Sequence, residues 1–429
     1  MELLKKIYHK YADTKLFQVL GDIYRNGFFL SNLASYLRLK RLTKKKYNSE
    51  GPIKVIFLCQ YTQAWNKLKC VYERMVKDER FETLIVAVPY DIKNKDDSIY
   101  EYFYKLYGDN VVRAWEKENW LDLESLGAEY VFYQRPYDQY LPKAYQSKAV
   151  SKYAKICHVV YGYQLATTTE HSVMNKLFFR NVYMYFAENS IYYKYNVDRF
   201  KKSHAKGYRK TLNIGYPSLE DFVNQKANCE EHSENENKFK VLWTPRWSED
   251  KEVGGSNFIN FKDEVVKLPE TYENMKIVFR PHPMTFQHFM SVGKITQQQV
   301  DDYMALYKNN DSLVYDEEPS YVKSFWGCDI LLTDVSSIIA EWFLTGKPVV
   351  YCETGSQPND FMKEMMKVFY VVNTWEEAEA KVRDLYNGVD PLKEARLEMV
   401  QSLMGSDLEH TSNRFLDTIH QDYVKQIVR

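Results

Sequence analysis

Short apolar runs that resemble β-strands alternate with helix-like segments along most of this chain. Such alternation is typical of parallel sheets covered by helices on both faces. In the first half the predicted strands are Lys54–Cys59, Thr83–Val88, Tyr130–Gln134, Cys157–Tyr161, Met184–Ala187 and, as a last candidate, Leu212–Pro217. The predicted helices there are Trp65–Lys77, Ser98–Tyr107 and Pro142–Ala154. The second half predicts strands at Val241–Thr244, Lys276–Arg280, Leu313–Tyr315, Ile330–Thr333 and Val349–Cys352.

The length of the chain requires more than one such sheet. A single hydrophobic core stops growing at about 250–300 residues, and this chain has 429. The polar segment Gln225–Lys238 contains almost no apolar residues and predicts a domain boundary or a flexible loop. We therefore expect an α/β fold in which residues 51–224 and 225–390 form two Rossmann-like, doubly wound domains facing each other across a cleft. Residues 1–50 are expected to form a basic helical extension, and residues 391–429 to form helices that cross back to the first domain.

Composition and charge exclude several classes of protein. With 45% hydrophobic and 27% charged residues, the chain is typical of soluble globular proteins. No apolar run approaches the ~18 residues that a membrane span needs, and no signal peptide precedes the fold, so we expect a cytoplasmic protein. The 58 basic and 58 acidic residues cancel, which argues against nucleic acid as a partner. The six cysteines form no C-x-x-C pair and the carboxylates no D-x-D cluster. We therefore predict neither a metal site nor a cofactor.

The charge is unevenly distributed, because the N-terminal segment is basic. Residues 1–46 carry eleven Lys or Arg against three Asp or Glu, a net charge of +8. Apolar side chains recur at helical spacing between Leu3 and Tyr24, and the basic run Arg38–Lys46 follows. This pattern predicts an amphipathic helix on an anionic membrane surface. The alternative is a helix that packs on its own protein and exposes a solvated basic face.

The most informative segment for chemistry begins at the end of a predicted strand with Thr333-Asp334-Val335-Ser336-Ser337 and continues into a predicted helix that ends at Gly346. Backbone amides and hydroxyl groups at the start of a helix are donors for phosphate. Glu341 follows Ser337 by four residues and lies one turn further along the same helical face, where its carboxylate could accept ribose hydroxyl groups. In the alternative interpretation the serines only cap the helix and Glu341 is a surface acid.

Two other predicted strands also end in turns with chemically useful side chains. In Arg280–Pro283 (RPHP) the prolines fix the backbone so that the His282 imidazole projects from the carboxyl edge of the sheet. There it could donate a charged hydrogen bond to phosphate or transfer a proton, although a histidine in a turn can also be purely structural. After Thr244, Arg246 could neutralise a diphosphate and Trp247 could stack on a base. The alternative makes Arg246 a surface charge and Trp247 a core residue.

These three segments, in this order, resemble the CDP-glycerol glycerophosphotransferase family, the teichoic-acid polymerases and related capsule enzymes with a GT-B fold. The resemblance covers mainly residues 240–355, where an A-P-T-type turn, R-x-H-P, and T-D-x-S-S with a later acid and K-P recur. It implies that Ser336 and Ser337 hold the donor diphosphate, that Glu341 holds the ribose, and that His282 assists phosphoryl transfer. The other residues that we assign to the donor site are Thr244, Arg246, Arg280 and Asp334.

The sequence departs from the family pattern at the general base. The family carries an H-G-T motif in its first domain, whereas Val160–Gln164 here reads VYGYQ, so that Tyr161 precedes the glycine. A tyrosine with an ordinary pKa near ~10 is a poor base unless its surroundings lower that value. His158 or His171 could substitute, but in an extended strand His158 points to the opposite face from Tyr161. The general base therefore stays open at this point, and Arg246 also differs from the small hydroxyl residue that the family has.

We expect a transferase that moves an alditol phosphate, most simply glycerol phosphate, from a CDP-alditol donor to a hydroxyl group of a teichoic acid, capsule or other cell-surface glycan. Its partners would be the donor, a glycan or polyol-phosphate acceptor and, through residues 1–46, the inner face of the cell membrane. A GT-B glycosyltransferase with a nucleotide-sugar donor, and a noncatalytic member of a polymer-assembly complex, are the alternatives.

Overall fold

The computed structural model of the protein describes residues 29–47, 51–160, 162–167, 176–227, 229, 238–249, 254–318, 320–405 and 407–427. The predicted amphipathic helix before residue 29 lies outside these ranges, as do Tyr161, His171 and most of the polar segment Gln225–Lys238. Among the helices in these ranges, none has the length and apolar character that crossing a membrane requires.

The first half of the chain builds a sheet of seven parallel strands in the order β3-β2-β1-β6-β7-β8-β9. The strand order reverses between β1 and β6, which makes this position the switch point of the sheet. A short antiparallel hairpin, β4–β5, stands apart from it. The strands are β1 (Ile53–Cys59), β2 (Phe81–Ala87), β3 (Val111–Arg113), β4 (Trp115–Glu116), β5 (Asn119–Trp120), β6 (Tyr130–Tyr133), β7 (Lys155–Val159), β8 (Val182–Phe186) and β9 (Lys210–Leu212).

The second half builds a sheet of six parallel strands in the order β12-β11-β10-β13-β14-β15. This is the strand order of a dinucleotide-binding domain, with its switch point between β10 and β13. The strands are β10 (Phe239–Thr244), β11 (Met275–Phe279), β12 (Leu313–Tyr315), β13 (Ile330–Thr333), β14 (Val349–Cys352) and β15 (Tyr370–Val372).

Helices connect the strands and cover both faces of each sheet. In the first half they are α1 (Phe29–Lys44), α2 (Asn66–Met75), α3 (Ser98–Tyr107), α4 (Ser147–Val150), α5 (Lys176–Phe179), α6 (Ser190–Arg199), α7 (Lys201–Ala205) and α8 (Ser218–Asn224). In the second half they are α9 (Phe258–Val265), α10 (Leu268–Thr271), α11 (Thr285–Ser291), α12 (Gln297–Asn309), α13 (Val322–Gly327), α14 (Ile339–Phe343), α15 (Asp360–Met366), α16 (Trp375–Tyr386), α17 (Lys393–Met404) and α18 (Thr411–Val424). Because both faces are covered, every residue of β6, β7, β8, β13 and β14 is buried.

The predicted helix Pro142–Ala154 is wrong over most of its length, since only Ser147–Val150 is α-helical. Tertiary contacts fix the segment in short turns instead. The Ser147 amide and hydroxyl donate to the Asp138 carboxylate at 2.7 and 2.6 Å. The Tyr145 carbonyl accepts a hydrogen bond from the Tyr133 hydroxyl at 2.6 Å, which ties the turn to the sheet.

The carboxyl edges of the two sheets face each other. The segment that follows β7 hydrogen-bonds to the segment that follows β14: the amide of Asn359 donates to the Leu165 carbonyl at 2.9 Å, and its side chain donates to the Gln164 carbonyl at 2.6 Å. The rings of Tyr163 and Phe361 stack with centroids 5.5 Å apart. A cleft between two carboxyl edges is where doubly wound domains bind their ligands.

Helix α18 returns to the first sheet. Its Asp422 carboxylate is buried there and accepts hydrogen bonds from the hydroxyl groups of Tyr130 and Tyr183, each at 2.8 Å, and from Lys155 Nζ at 2.5 Å. At the second residue of the helix, the Ser412 hydroxyl donates to the buried Glu220 carboxylate at 2.7 Å. The end of the chain is therefore held on the first half by polar contacts that are out of water.

The described part of the N-terminal segment packs on the protein itself. Leu39 and Leu42 of α1 are buried, and the Arg38 guanidinium donates to Asn181 Oδ1 at 2.7 Å and to Ser151 Oγ at 3.0 Å. The neighbouring basic side chains are exposed; they are Arg41, Lys44, Lys45 and Lys46. Between residues 29 and 47, therefore, this helix has a buried apolar side and an exposed basic end.

Candidate active site

Three turns at the carboxyl edge of the second sheet enclose a pocket of about 590 Å³. They follow β10, β11 and β13, so the pocket lies at the switch point of this sheet. Aromatic residues complete its wall, among them Trp247, Tyr315 and Tyr321. The structure brings together in this pocket six of the residues singled out from the sequence: Thr244, Arg246, Arg280, His282, Ser336 and Ser337.

Ser336 and Ser337 lie in the turn before a helix that is shorter than predicted, because α14 spans only Ile339–Phe343. The carbonyls of both serines accept hydrogen bonds from the amides of Ile339 and Ala340 at 3.2 and 3.4 Å. Within the described ranges, the amides of Ser336, Ser337 and Ile338 and the two serine hydroxyl groups donate no hydrogen bond. Ser337 is exposed and Ser336 half-buried, so the turn offers these donors to an anion in the pocket.

Two buried polar side chains hold these turns together from behind. The Asp334 carboxylate, 1% exposed, accepts hydrogen bonds from the amide of Arg246 and, at 2.7 Å, from the amide of Asn257. Burial raises the Asp334 pKa to about 7, although both amide bonds act in the opposite direction. Thr244 is buried as well, and its hydroxyl is 3.0 Å from the Thr333 hydroxyl. Both oxygens of Asp334 accept hydrogen bonds from the protein backbone, which favours a role in positioning the pocket over the predicted direct contact with the donor.

His282 projects into the pocket with a defined tautomer. Its Nδ1 accepts a hydrogen bond from the amide of Met284 at 3.2 Å, so a neutral ring carries its proton on Nε2. The ring stacks on Trp247 with centroids 5.5 Å apart and an interplanar angle of 28°. Desolvation and the nearby Arg246 lower the His282 pKa below its ordinary 6.5. These contacts favour a neutral Nε2–H donor at pH 7 over the charged donor considered from the sequence.

Arg280 holds the rim of the pocket. Its Nη1 lies 2.8 Å from Asp316 Oδ2, and its Nη2 donates to the Glu318 carbonyl at 2.8 Å. The ion pair is largely out of water, because the side chains of Arg280 and Asp316 are 17% and 5% exposed. Its charge is thus compensated inside the protein, and its contribution is to fix the 316–318 turn beside His282.

Glu341 is not a surface acid. Its Oε2 is buried and has no hydrogen-bond partner among the residues that the structure describes, and burial raises its pKa to about 7. Burial raises the pKa of Tyr163 and Tyr216 in the first half of the chain, and the charge of Glu341 raises both further. Glu341 therefore lies near the junction of the two halves of the chain. A buried carboxylate oxygen that has no hydrogen-bond partner in the protein is suited to accept a hydrogen bond from a hydroxyl group of a ligand.

His158 does not fit the role of a base for the acceptor. It is 0% exposed in the core of the first sheet, and its Nδ1 lies 2.9 Å from the Tyr133 carbonyl. The rings of Phe178 and Phe179 lie edge-on to it at 5.0 and 5.5 Å. Burial lowers its pKa well below 6.5. The helix that carries the two phenylalanines closes over the ring, which argues against His158 as a substitute for Tyr161.

The sequence pattern missed several residues that shape the site, namely Asn257, Asp316 and Tyr321. Asn257 is 77 residues from Asp334, and Asp316 is 36 residues from Arg280, so neither pair belongs to a sequence motif. Within the described ranges no group of three or more His, Cys, Asp or Glu side chains is placed to hold a metal ion.

Solved structures with a similar fold include the following three. UDP-GlcNAc 2-epimerase from Neisseria meningitidis, bound to UDP-GlcNAc, is 13% identical with a TM-score of 0.57, covering 86% of this chain and 100% of that one. The S. aureus MnaA–UDP co-structure is 14% identical with a TM-score of 0.54, covering 88% and 98%. A variant of the wall teichoic acid polymerase TagF is 15% identical with a TM-score of 0.53, covering 96% and 97%. These likenesses confirm the predicted GT-B fold.

Sequence comparison identifies the family. No curated protein matches the chain. The model of one family, described as CDP-Glycerol:Poly(glycerophosphate) glycerophosphotransferase, matches residues 139–369, which is more than half of the chain. The match includes all three turns of the pocket and confirms the resemblance drawn from their motifs. The chain is therefore a transferase of the CDP-glycerol:poly(glycerophosphate) glycerophosphotransferase family.

Proposed function

We propose that the protein transfers an alditol phosphate, most simply glycerol phosphate, from a CDP-alditol to a hydroxyl group of a teichoic acid, capsule or related cell-surface glycan. The observation that carries this proposal is the turn at Ser336 and Ser337, whose amides and hydroxyl groups are open to an anion opposite His282. Five hydrogen-bond donors in one turn suit the diphosphate of such a donor. The family supplies the identity of the nucleotide and of the transferred group.

In this reaction an acceptor oxygen attacks the β-phosphorus, the bond from that phosphorus to the bridging oxygen breaks, and CMP leaves. Negative charge then develops on the nonbridging oxygens and on the departing phosphate. The amides of the serine turn and the Nε2–H group of His282 would donate to these oxygens. Because His282 Nδ1 already accepts a backbone hydrogen bond, its contribution is donation rather than removal of the acceptor proton. The general base stays open, because Tyr161 and His171 both lie outside the described residues.

The same proposal divides the chain into an acceptor domain, residues 51–224, and a donor domain, residues 225–390. The donor pocket is built entirely from turns of the second sheet, which supports this division. Glu341 is proposed for the ribose of the donor, because its Oε2 is buried without a partner in the described ranges.

Calorimetric titration with CDP, CDP-glycerol and UDP tests the donor site. We expect CDP and CDP-glycerol to bind more tightly than UDP. A double variant, Ser336→Ala with Ser337→Ala, should bind CDP-glycerol about tenfold or more weakly, since a hydrogen bond to a charged group contributes about 1.5–3 kcal/mol. Ser291→Ala, which removes another exposed hydroxyl, is the control.

Preference for UDP, or a double variant that binds CDP-glycerol as the wild type does, would contradict the proposed donor. Release of UDP or GDP instead of CMP would identify a nucleotide-sugar transferase. If CDP-glycerol binds but no hydroxyl acceptor leads to CMP release, the protein is a noncatalytic member of the family.

We further propose that the protein acts at the cytoplasmic face of the cell membrane, bound through its basic N-terminal segment. Support comes from the exposed basic end of α1 and from Leu33 and Leu37, which are 40% and 51% exposed. The full chain should sediment with phosphatidylglycerol vesicles and not with phosphatidylcholine vesicles. Replacing Arg41, Lys44, Lys45 and Lys46 by glutamine should weaken this binding; equal sedimentation of both proteins would contradict the proposal.

A further inference from the structure

The first sheet has a pocket of its own, of about 820 Å³, lined by the turns that follow β2 and β6, the two strands on either side of β1. This position is the switch point of the first sheet, the counterpart of the candidate donor pocket in the second. We call it the Arg135 pocket. Its wall includes Tyr90, Asp91, Lys93, Arg135, Tyr137 and Tyr140.

Arg135 is surrounded by aromatic rings and not by carboxylates. Its guanidinium carbon lies 5.0, 5.6, 5.9 and 5.6 Å from the ring centroids of Tyr61, Tyr90, Tyr137 and Tyr140. Its Nη2 donates to the neutral Gln60 side chain at 2.9 Å. Its Nε is buried without a hydrogen-bond acceptor, and no carboxylate of the described residues pairs with it. A cation held this way keeps its charge available for an anion.

Two buried glutamine side chains hold the pocket in place. Gln60, 5% exposed, donates from Nε2 to the carbonyls of Tyr140 at 2.7 Å and Pro89 at 3.1 Å. Gln134, 2% exposed, accepts from the amides of Gln60 and Tyr61 at 2.8 and 3.0 Å. These bonds join the turns after β1, β2 and β6, so the arginine and its tyrosines are fixed before a ligand arrives.

The chemistry of the pocket selects a ligand that is both anionic and carbohydrate-like. A guanidinium group binds phosphate through two parallel hydrogen bonds. Tyr90 and Tyr140 are 54% and 51% exposed and present ring faces on which the C–H groups of a sugar or polyol can pack. Asp91 and Lys93, also at the wall, balance each other in charge, so Arg135 gives the pocket its net positive charge.

We propose that the Arg135 pocket binds the acceptor of the transfer reaction, a chain of polyol phosphate or a phosphate-bearing glycan, with Arg135 on a phosphate and the tyrosines against the polyol or sugar. The inference rests on the proposed function. Because the carboxyl edges of the two sheets face each other, an acceptor held here would extend toward the donor in the opposite pocket. Arg135 is in this view a determinant of acceptor specificity.

Steady-state kinetics of Arg135→Gln in the full chain, with CDP-glycerol and a synthetic glycerol phosphate trimer, test the inference. The KM for the trimer should rise about tenfold or more, while the KM for CDP-glycerol and the kcat at saturating trimer change by less than about twofold. Arg113→Gln is the matched control. Arg113 also lies over a tyrosine ring, that of Tyr100 at 3.6 Å, but pairs with Asp97 away from the pocket.

The double variant Tyr90→Ala with Tyr140→Ala removes two exposed rings and should also raise the KM for the trimer. An unchanged KM for the trimer in both variants overturns the inference, as does a rise in the KM for CDP-glycerol alone.

Calorimetric titration of the trimer into the wild type and into Arg135→Gln tests the pocket without turnover. If CDP-glycerol neither binds nor releases CMP but the trimer binds with Arg135-dependent affinity, the proposed function fails and the pocket assignment stands. A neutral disaccharide that binds as tightly as the trimer overturns the phosphate assignment.

Discussion

Replacing His282 by alanine should lower kcat for CMP release about 100- to 1,000-fold, the usual cost of removing one preorganised donor to a developing oxyanion. The KM for CDP-glycerol should change little, because the Nε2–H bond strengthens in the transition state and the serine turn still holds the diphosphate. His282→Asn, which keeps an N–H group near the same place, should recover part of the rate. The measurement is CMP release at saturating donor and acceptor.

His288→Ala is the control, since His288 contacts the same Trp247 ring at 5.3 Å but lies on the following helix, α11. The pH profile provides the second criterion. Desolvation and Arg246 lower the His282 pKa below 6.5, so the neutral ring predominates at higher pH and its contribution to the rate should be constant there. As the pH falls through that pKa, protonation of Nδ1 removes the acceptor of the Met284 amide that orients the ring, so the rate should decline. A wild-type rate that declines with rising pH near neutrality, and a His282→Ala rate that does not, would assign a cationic role instead.

The central strands could be predicted because burial on both faces leaves a continuous apolar run. Ile330–Thr333 and Val349–Cys352 have the predicted bounds. The strands Val111–Arg113 and Tyr370–Val372 were missed. Both are three residues long at the edge of a sheet, where so short a run carries little pattern. Leu313–Tyr315, which has the same length and also lies at an edge, was nevertheless predicted with its observed bounds.

The candidate site could be predicted as far as it is local. Each turn follows a recognisable strand, and parallel strands bring their carboxyl ends to one edge, so His282 and the two serines meet although they are more than 50 residues apart. What a side chain does after arriving there depends on partners that the pattern does not contain. Asp334 turns inward because the amides of Arg246 and Asn257 lie behind it.

The same dependence on partners from distant parts of the chain explains why the sequence pattern identified neither the Arg135 pocket nor the burial of His158. Arg135 follows a strand as Arg246 does, but the tyrosines around it come from three separate turns, so no spacing in the sequence announces them. The alternation of side chains along a strand predicts that His158 and Tyr161 point to opposite faces, and Tyr161 lies outside the described residues. That alternation does not reveal which face a later helix covers, and Phe178 and Phe179 from α5 bury the histidine.

The buried contact between the C-terminal helix and the first sheet should be the most sensitive point for stability. Asp422→Ala removes the carboxylate that Lys155, 0% exposed, lies against at 2.5 Å, and leaves this ammonium group buried without its counter-charge. The free energy of unfolding should fall by about 3–5 kcal/mol, the usual cost of breaking a buried ion pair on one side. Urea denaturation of both proteins measures the difference.

Asp417→Ala, on the same helix, is the matched control, because Asp417 is 56% exposed in its ion pair with Arg80. This substitution should lower the free energy of unfolding by less than about 1 kcal/mol. Equal losses in the two variants would contradict the buried-pair explanation.

Although burial opposes ionisation, Lys155 and Lys210 lower the Asp422 pKa to about 2, below its value of about 3.9 in the unfolded chain. The carboxylate therefore stabilises the fold fully above about pH 4 and loses this contribution as the pH falls toward 2, so the difference between wild type and Asp422→Ala should narrow over that interval. Because α18 ties the end of the chain to the sheet that carries the Arg135 pocket, loosening it should weaken binding of the glycerol phosphate trimer before it affects CDP binding.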